Sequence, residues 1–255
     1  MSGKTMSRLN GGRAAVCAAL VSMLAWSPVQ ADQIKVSMTV DNSYALFAGT
    51  VSAATTFYGA DYNWGGAETY TFDLGSSAYL YVVTASDRSV AQGFLGMFEN
   101  VTSGYKFYSQ DEAWQVTATG LGGAGAPYSG SSADLGLLSG EIVNANAGTN
   151  ASQGWQAFTA GGSNGSGPWG MISGIDSDAR WVWYGGGNCD TNNPTLGGCD
   201  AGEWLVFRIA VAATPDNPIP DPDGGNGGGT VPEPTSLALT MLGLALAAGV
   251  RRRRS

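Results

Sequence analysis

Apolar and polar residues alternate in short runs along the middle of the chain, which is the pattern of half-buried β-strands. In Ile34–Val40 the apolar residues occupy every second position, so four of them fall on one face of a strand. Asp41-Asn42-Ser43 then predicts a turn, because Asp and Asn side chains bond to the nearby backbone, and Tyr44–Phe47 begins the return strand. Further strands are predicted at Glu68–Leu74, Ala78–Ala85, Gly93–Phe98, Trp114–Thr119, Arg180–Tyr184 and Glu203–Val211.

Glycine-rich turns separate these runs, and the chain contains 39 glycines. No window of about twelve residues between the two ends of the chain shows a convincing helical period, so we expect almost no helix there. The stretch Gly120–Gly154 is rich in Gly, Ala, Ser and Asn and is expected to be mostly loop. Many short strands joined by such turns are typical of an all-β sandwich or barrel.

The last 25 residues follow a different pattern, in three parts. The first is an extended, accessible segment, because its two prolines fix φ and remove backbone donors: Val231, Pro232, Glu233 and Pro234. Next, Leu237–Val250 carries no charge and as a helix would span about 20 Å, enough to cross a membrane of about 30 Å if flanking residues snorkel or the bilayer thins. A cationic cluster then holds this end in the cytoplasm, and it consists of Arg251, Arg252, Arg253 and Arg254.

This three-part order resembles a PEP-CTERM sorting signal, which exosortase recognises in the membrane of Gram-negative bacteria that make extracellular polysaccharide. The resemblance covers about a tenth of the chain. It implies a transient transmembrane helix in the inner membrane, cleavage near Pro232-Glu233-Pro234, and release or transfer of the body to the cell surface. An ordinary single-pass tail anchor is the alternative interpretation.

The first 31 residues predict a secretory signal peptide helix. Lys4, Arg8 and Arg13 form its basic region, Ala14–Trp26 forms its apolar region, and Val29-Gln30-Ala31 is a cleavage site for signal peptidase. The chain therefore divides into a signal peptide (1–31), a β-sandwich domain (32–213), a Pro/Gly-rich linker (214–230) and the sorting signal (231–255).

Charge and composition exclude several function classes. Residues 32–230 contain nineteen of the chain's twenty acidic residues but five of its twelve basic ones, a net charge of −14 that repels nucleic acid. The chain has no histidine, which excludes Ser-His-Asp and Cys-His catalysis and the usual zinc sites. Asp111 and Glu112 are adjacent and point to opposite faces of a strand, so they are not the carboxyl pair that a glycosidase places across its cleft. We therefore expect no enzymatic activity.

The body of the chain also resembles galactose-binding-like β-sandwich modules. The segments that carry this resemblance follow in order: Asp41-Asn42 before Tyr44, Trp64, Tyr70–Gly75, Tyr79–Val83, Gly93–Gly96, Trp114 and Trp204–Arg208. The resemblance implies an antiparallel jelly-roll β-sandwich, and its members often bind sugars through loops at one end and often hold a structural Ca²⁺. At the hairpin this chain has Ala48-Gly49 where such modules have Asn-Gly, and Gly49 is expected to supply a positive φ.

Tryptophans are the candidates for contact with a glycan, because aromatic faces stack on the apolar faces of sugar rings. Trp155 and Trp169 lie in Gly/Ser/Asn-rich loops and are the predicted stacking residues. Trp181 and Trp183 lie two positions apart on a strand, so they are expected to share a face and to pack in the core, as is Trp204.

Two structural sites are predicted in the second half of the body. Closely spaced oxygen ligands suggest a calcium site formed by Asp176, Asp178, Asp190 and Asp200, with a solvated turn as the alternative. Cys189 and Cys199 remain after export and predict a disulfide, because secreted proteins fold in an oxidising compartment.

These patterns together predict an exported, exosortase-processed surface or extracellular-matrix protein. Its expected partners are signal peptidase and exosortase during export, and extracellular polysaccharide afterwards, which it would contact without catalysis. The alternative is a purely structural matrix or envelope protein without a specific ligand. A glycan hydrolase is a third interpretation, which the absence of histidine and of a carboxyl pair disfavours.

Overall fold

Strands dominate the computed structural model, which describes residues 33–87, 90–122, 130–186, 193–196 and 202–211. In the first half of the chain the strands are β1 (Gln33–Asp41), β2 (Ser43–Thr50), β3 (Ala53–Asp61), β4 (Glu68–Asp73), β5 (Tyr79–Ala85) and β6 (Gly93–Asn100). The second half contributes β7 (Tyr105–Tyr108), β8 (Gln115–Gly122), helix α1 (Ser132–Ala147), β9 (Thr159–Ser163), β10 (Arg180–Trp183) and β11 (Glu203–Ala210). Every predicted strand is present, whereas β3, β7 and β9 were not predicted.

The strands form two antiparallel sheets. The first has the order β4-β1-β6-β10-β9, with β7 also paired to β6, and the second has the order β3-β2-β5-β11-β8. The predicted all-β, antiparallel sandwich is therefore confirmed, and this arrangement is compatible with a jelly roll.

Side chains point alternately to the two faces of each sheet, and those on the inner faces form the core between the sheets. Val36 and Val40 of β1 and Phe94 of β6 point inward from the first sheet, and Leu46 and Phe207 point inward from the second. Phe94 lies near the centre, with its ring centroid 5.4 Å from those of both Trp114 and Phe207. Such aromatic contacts add to the free energy gained by burying these side chains.

Both outer faces of the sandwich are also covered. Helix α1 packs Leu138 and Ile142 against the second sheet, where they meet side chains such as Tyr81. The segment 164–179 covers the first sheet with Trp169 and a set of apolar side chains that contact Leu95, Met97 and Trp181. The strands under these covers therefore carry apolar residues on both faces.

Helix α1 shows that the expectation of almost no helix was wrong; it lies within Gly120–Gly154, which was expected to be rich in loops. Ser131 caps the helix, since its side chain accepts a 3.2 Å hydrogen bond from the backbone N–H of Asp134. The left-handed Gly148 ends it and donates its N–H to the carbonyl of Ala145. The buried side chains are few and lie among small and polar ones, so the helical period was hidden.

The connection between β1 and β2 also differs from the prediction. We expected a hairpin, but β1 pairs with β4 and β6 while β2 pairs with β3 and β5, so Asn42 carries the chain from one sheet to the other. The backbone N–H of Asn42 donates to the carbonyl of Ala85 at the end of β5, 3.1 Å away. Asp41-Asn42-Ser43 marks a change of chain direction, as its composition predicts. The hydrogen bonds that position β2, however, come from β5, which is distant in the sequence.

Trp181 and Trp183 are both buried, as predicted, but they do not share a face. Trp181 stacks on Trp169 in the cover of the first sheet, whereas Trp183 packs near Phe207 in the central core. Strand β10 has four residues, and its pairing with β9 shifts register between Arg180 and Val182. The regular alternation of side chains between the two faces of the sheet is therefore interrupted between the two tryptophans.

The expected positive φ at Gly49 was wrong as well. Gly49 lies inside β2 without a positive φ, next to an irregularity in the pairing of β2 with β3. Glycine is needed there for a different reason, because a Cβ would collide with the carbonyl oxygen of Ala53.

Several predicted features lie outside the described residues: the signal peptide, the linker, the apolar run Leu237–Val250, and the pair Cys189 and Cys199. Within the described residues, no helix has the length and apolar character needed to cross a membrane.

Candidate functional site

A cleft of about 280 Å³ opens where the chain crosses between the sheets. This volume lies just below the range for ligand pockets, about 300–1,000 Å³. We call it the Asp41 cleft, and it is lined by Asp41, Asn42, Trp64, Asp87, Val90, Ala91, Pro168 and Trp169. Two tryptophan rings and the polar groups of Asp41, Asn42 and Asp87 line it together.

Asp41 is the most buried acidic group of the cleft, with 8 % of its surface exposed. Its Oδ2 accepts a 2.7 Å hydrogen bond from Nε1 of Trp169. Burial raises the pKa of the Asp41 carboxyl above its ordinary value of 3.8; the bond from Trp169 opposes this shift and the charge of Asp87 adds to it. Among the described residues, none donates to Oδ1 of Asp41. In the described structure, the second oxygen is therefore available as an acceptor.

Asn42 has a defined amide orientation. Its Oδ1 accepts from the backbone N–H of Asp87 at 2.9 Å and from the hydroxyl of Ser86 at 3.4 Å. A backbone N–H can only donate, so the atom facing it must be the amide oxygen, and Nδ2 lies on the other side. In the described part of the chain, no group accepts from this Nδ2.

Trp169 and Trp64 supply the aromatic surfaces. Trp169 stacks on Trp181 with ring centroids 4.0 Å apart, and Gly93 makes room for this pair, since a Cβ there would lie 2.8 Å from the ring of Trp181. Trp169 is therefore largely buried, although it still lines the cleft. Trp64 is 39 % exposed and is held by its backbone carbonyl, which accepts from the Thr39 hydroxyl at 3.1 Å. Trp64 was not among the predicted stacking residues; its place in the Asn-Trp-Gly-Gly loop was the available signal.

Trp155, the other predicted stacking residue, lies elsewhere and is already in contact with a cation. It packs with the cluster between α1 and the second sheet, and the Cζ atom of Arg208 lies 3.8 Å from its ring centroid. Arg208 also donates to Oε1 of Gln115 and to Oδ1 of Asn146, and the same Asn146 oxygen accepts from Nε1 of Trp155 at 2.8 Å. One face of Trp155 is thus covered by the guanidinium group, and the structure does not bring Trp155 and Trp169 together.

The predicted calcium ligands are only partly described. Asp176 accepts from Nζ of Lys106 at 3.4 Å and from the hydroxyl of Tyr108 at 3.1 Å, while the backbone carbonyl of Asp178 accepts from Gln110. Asp190 and Asp200 lie outside the described residues. Across the described ranges, no group of three His, Cys, Asp or Glu side chains could hold a metal ion. Calcium binding therefore stays a prediction.

Comparison with protein families gives a match at the C-terminus. Residues 230–254 match the family described as the PEP-CTERM protein-sorting motif. The chain carries a PEP-CTERM sorting motif. This confirms the predicted sorting signal and marks the protein as a secreted surface protein that is directed to exosortase.

The PEP-CTERM motif indicates the destination of the protein but gives no information about the Asp41 cleft. The function of the cleft is therefore inferred from the residues that line it. No curated protein and no solved structure matches the chain. The resemblance of the body to galactose-binding-like modules therefore stays a prediction. In this PEP-CTERM protein, eighteen residues separate Val211, the last described residue, from Thr230, where the motif begins.

Proposed function

We propose that this PEP-CTERM protein is a noncatalytic surface module that contacts extracellular polysaccharide through the Asp41 cleft. The producing cell would be a Gram-negative bacterium that makes this polysaccharide. The observation that carries the proposal is the pairing, in one cleft, of the exposed ring of Trp64 with the polar groups of Asp41 and Asn42. Sugars offer an apolar ring face and a rim of hydroxyls, and this combination suits both.

The test is a glycan array probed with the full chain in mild detergent, with and without calcium. We expect binding to at least one glycan, and Trp64→Ala should weaken it about tenfold or more, roughly 1.4 kcal/mol. Trp155→Ala is the matched control, because this ring lies on the second sheet and is covered by Arg208 on one face. If Trp155→Ala abolishes binding and Trp64→Ala does not, the site has been placed wrongly. If no glycan binds with or without calcium, the protein is a structural matrix component without a specific ligand.

A hydrolase is the second candidate, and one observation favours it. Asp41 and Asp87 both line the cleft, and burial raises the pKa of Asp41, as it does for carboxyl groups that act as general acids. We expect the purified chain not to cleave polysaccharide. Turnover that disappears in both Asp41→Asn and Asp87→Asn would replace the binding function with hydrolysis.

A further inference from the structure

The carboxylate of Asp41 is held in one orientation. Indole Nε1 of Trp169 has only a proton to give, so it fixes Oδ2 of Asp41 as its acceptor at 2.7 Å. The residue is 8 % exposed, and the partner of its side chain in the described structure is Trp169. Asp41 lines the cleft, and Oδ1 is the carboxylate oxygen that the bond from Trp169 leaves free to accept.

The neighbouring residue presents a fixed donor. The backbone N–H of Asp87 fixes the amide oxygen of Asn42, which leaves Nδ2 and its two protons as the other end of the amide. Asn42 is half-buried and lines the same cleft. One acceptor and one donor, from consecutive residues, therefore belong to the lining of the same cleft.

We infer that Asp41 and Asn42 together recognise two neighbouring hydroxyl groups of a neutral sugar. One hydroxyl donates to Oδ1 of Asp41, and the next accepts from Nδ2 of Asn42, since a hydroxyl can do either. The ring of Trp64 supplies the stacking surface of the same cleft. This inference rests on the proposed function and names its ligand class, a glycan with two adjacent free hydroxyls.

The charge of Asp41 disfavours acidic sugars. A uronic acid carboxylate placed against Oδ1 would bring two like charges together in a partly buried site, where screening by solvent is weak. Methylated hydroxyls would also be rejected, because they have no proton for Asp41 to accept, and a methyl group against Oδ1 would shield this oxygen from water without pairing it.

The test uses isosteric variants of the full chain in mild detergent. Asp41→Asn must turn its amide oxygen toward Trp169, so it presents a donor to the cleft in place of the acceptor. Asn42→Asp presents an acceptor in place of the donor, because its other oxygen still accepts from the backbone N–H of Asp87. The double variant Asp41→Asn/Asn42→Asp restores one donor and one acceptor, in exchanged positions.

The probes are neutral dextran, mannan and galactan oligosaccharides, their O-methylated forms, and the carboxylated polymers alginate and polygalacturonate. We expect at least one neutral probe to bind, and its methylated form and the carboxylated polymers to bind at least about tenfold more weakly. Each single variant should weaken binding of that neutral probe about ten- to hundredfold, and the double variant should bind more tightly than either single.

Circular dichroism and unfolding midpoints check that each variant is folded. If the wild type binds a neutral probe and both folded single variants bind it equally well, the inference is overturned but the proposed function is not. Tighter binding of the carboxylated polymers than of the neutral probes would do the same. If the wild-type chain binds no probe and no glycan on the array, both the inference and the proposed function fail.

Discussion

Trp169 and Asp41 are 128 positions apart in the chain and meet through a 2.7 Å hydrogen bond between Nε1 and Oδ2. This bond ties the segment that covers the first sheet to the end of β1, next to the point where the chain crosses between sheets. It also orients the carboxylate of the cleft. One contact thus serves both the packing of the cover and the geometry of the candidate site.

A double-mutant cycle on this pair should show strong coupling. Trp169→Phe removes the donor and Asp41→Ala removes the acceptor, and each leaves a buried polar partner unmatched. We expect a coupling energy of about 1–3 kcal/mol between the two substitutions in urea unfolding at neutral pH. Additive effects within about 0.3 kcal/mol would show that the bond contributes nothing to stability.

Asp41 should also make stability depend on pH. Its pKa is raised in the folded state, so the folded protein keeps this proton to a higher pH than the unfolded chain does. The contribution of the protonated Asp41 carboxyl to stability is fully present below pH 3.8, the ordinary pKa of an aspartate. It is lost as pH rises through the folded-state pKa, because a buried charge then forms. The Asp41→Asn side chain stays neutral and does not lose this contribution. The free energy of unfolding of the variant minus that of the wild type should therefore increase between about pH 3 and about pH 7. A flat or falling difference would mean that the folded-state pKa is not raised.

Arg208 should resist replacement by lysine. Its guanidinium donates twice to Gln115, once to Asn146, and stacks on Trp155, and a lysine ammonium cannot make this planar set of contacts. We expect Arg208→Lys to lower the free energy of unfolding by about 1–3 kcal/mol in urea. Arg180→Lys is the matched control, because Arg180 is exposed and bonds to a single carbonyl, that of Gly161. Equal losses at the two positions would contradict the role given to the stack.

Two adjacent leucines test how helix α1 is docked. Leu138 is fully buried against the second sheet, whereas Leu137 is 45 % exposed. Leu138→Ala should cost about 2–5 kcal/mol of unfolding free energy, and Leu137→Ala should change it by about 0.5 kcal/mol or less. The comparison keeps helix propensity the same, so a similar cost at both positions would mean that the helix packs on a different face.

The strands could be predicted from the sequence because alternation is a local property. Ile34–Val40 shows it in consecutive residues and became a strand; Glu203–Val211 became a strand as a short, nearly continuous apolar run. Pairing could not be predicted in the same way, because Asn42 bonds to the segment Ala85–Asp87, far along the chain. Helix α1 was missed since its glycines and asparagines lower the apolar contrast; Ser131 and Gly148, which cap it, were the readable signals.

The cleft was only half predictable. Trp169 was predicted as a stacking residue because it lies in a Gly/Ser-rich loop. Its position in the cleft involves a hydrogen bond to Asp41, and a contact between such distant segments cannot be predicted from a local sequence pattern. Trp155 was chosen on the same ground and lies instead against Arg208 on the other sheet. Sequence composition separates loop from strand, whereas the set of loops that meet at one end of a sandwich depends on the whole topology.

The sorting of this protein is tested most directly by the intact mass of the mature chain recovered from the native cell and its medium. The PEP-CTERM motif at 230–254 predicts that the mature protein ends near Pro234, and the signal peptide predicts that it begins at Asp32. A mass that matches these ends, and that shifts to the uncut form when exosortase is absent, is the expected result. A mature pool that still ends in Arg254-Ser255 would contradict the account.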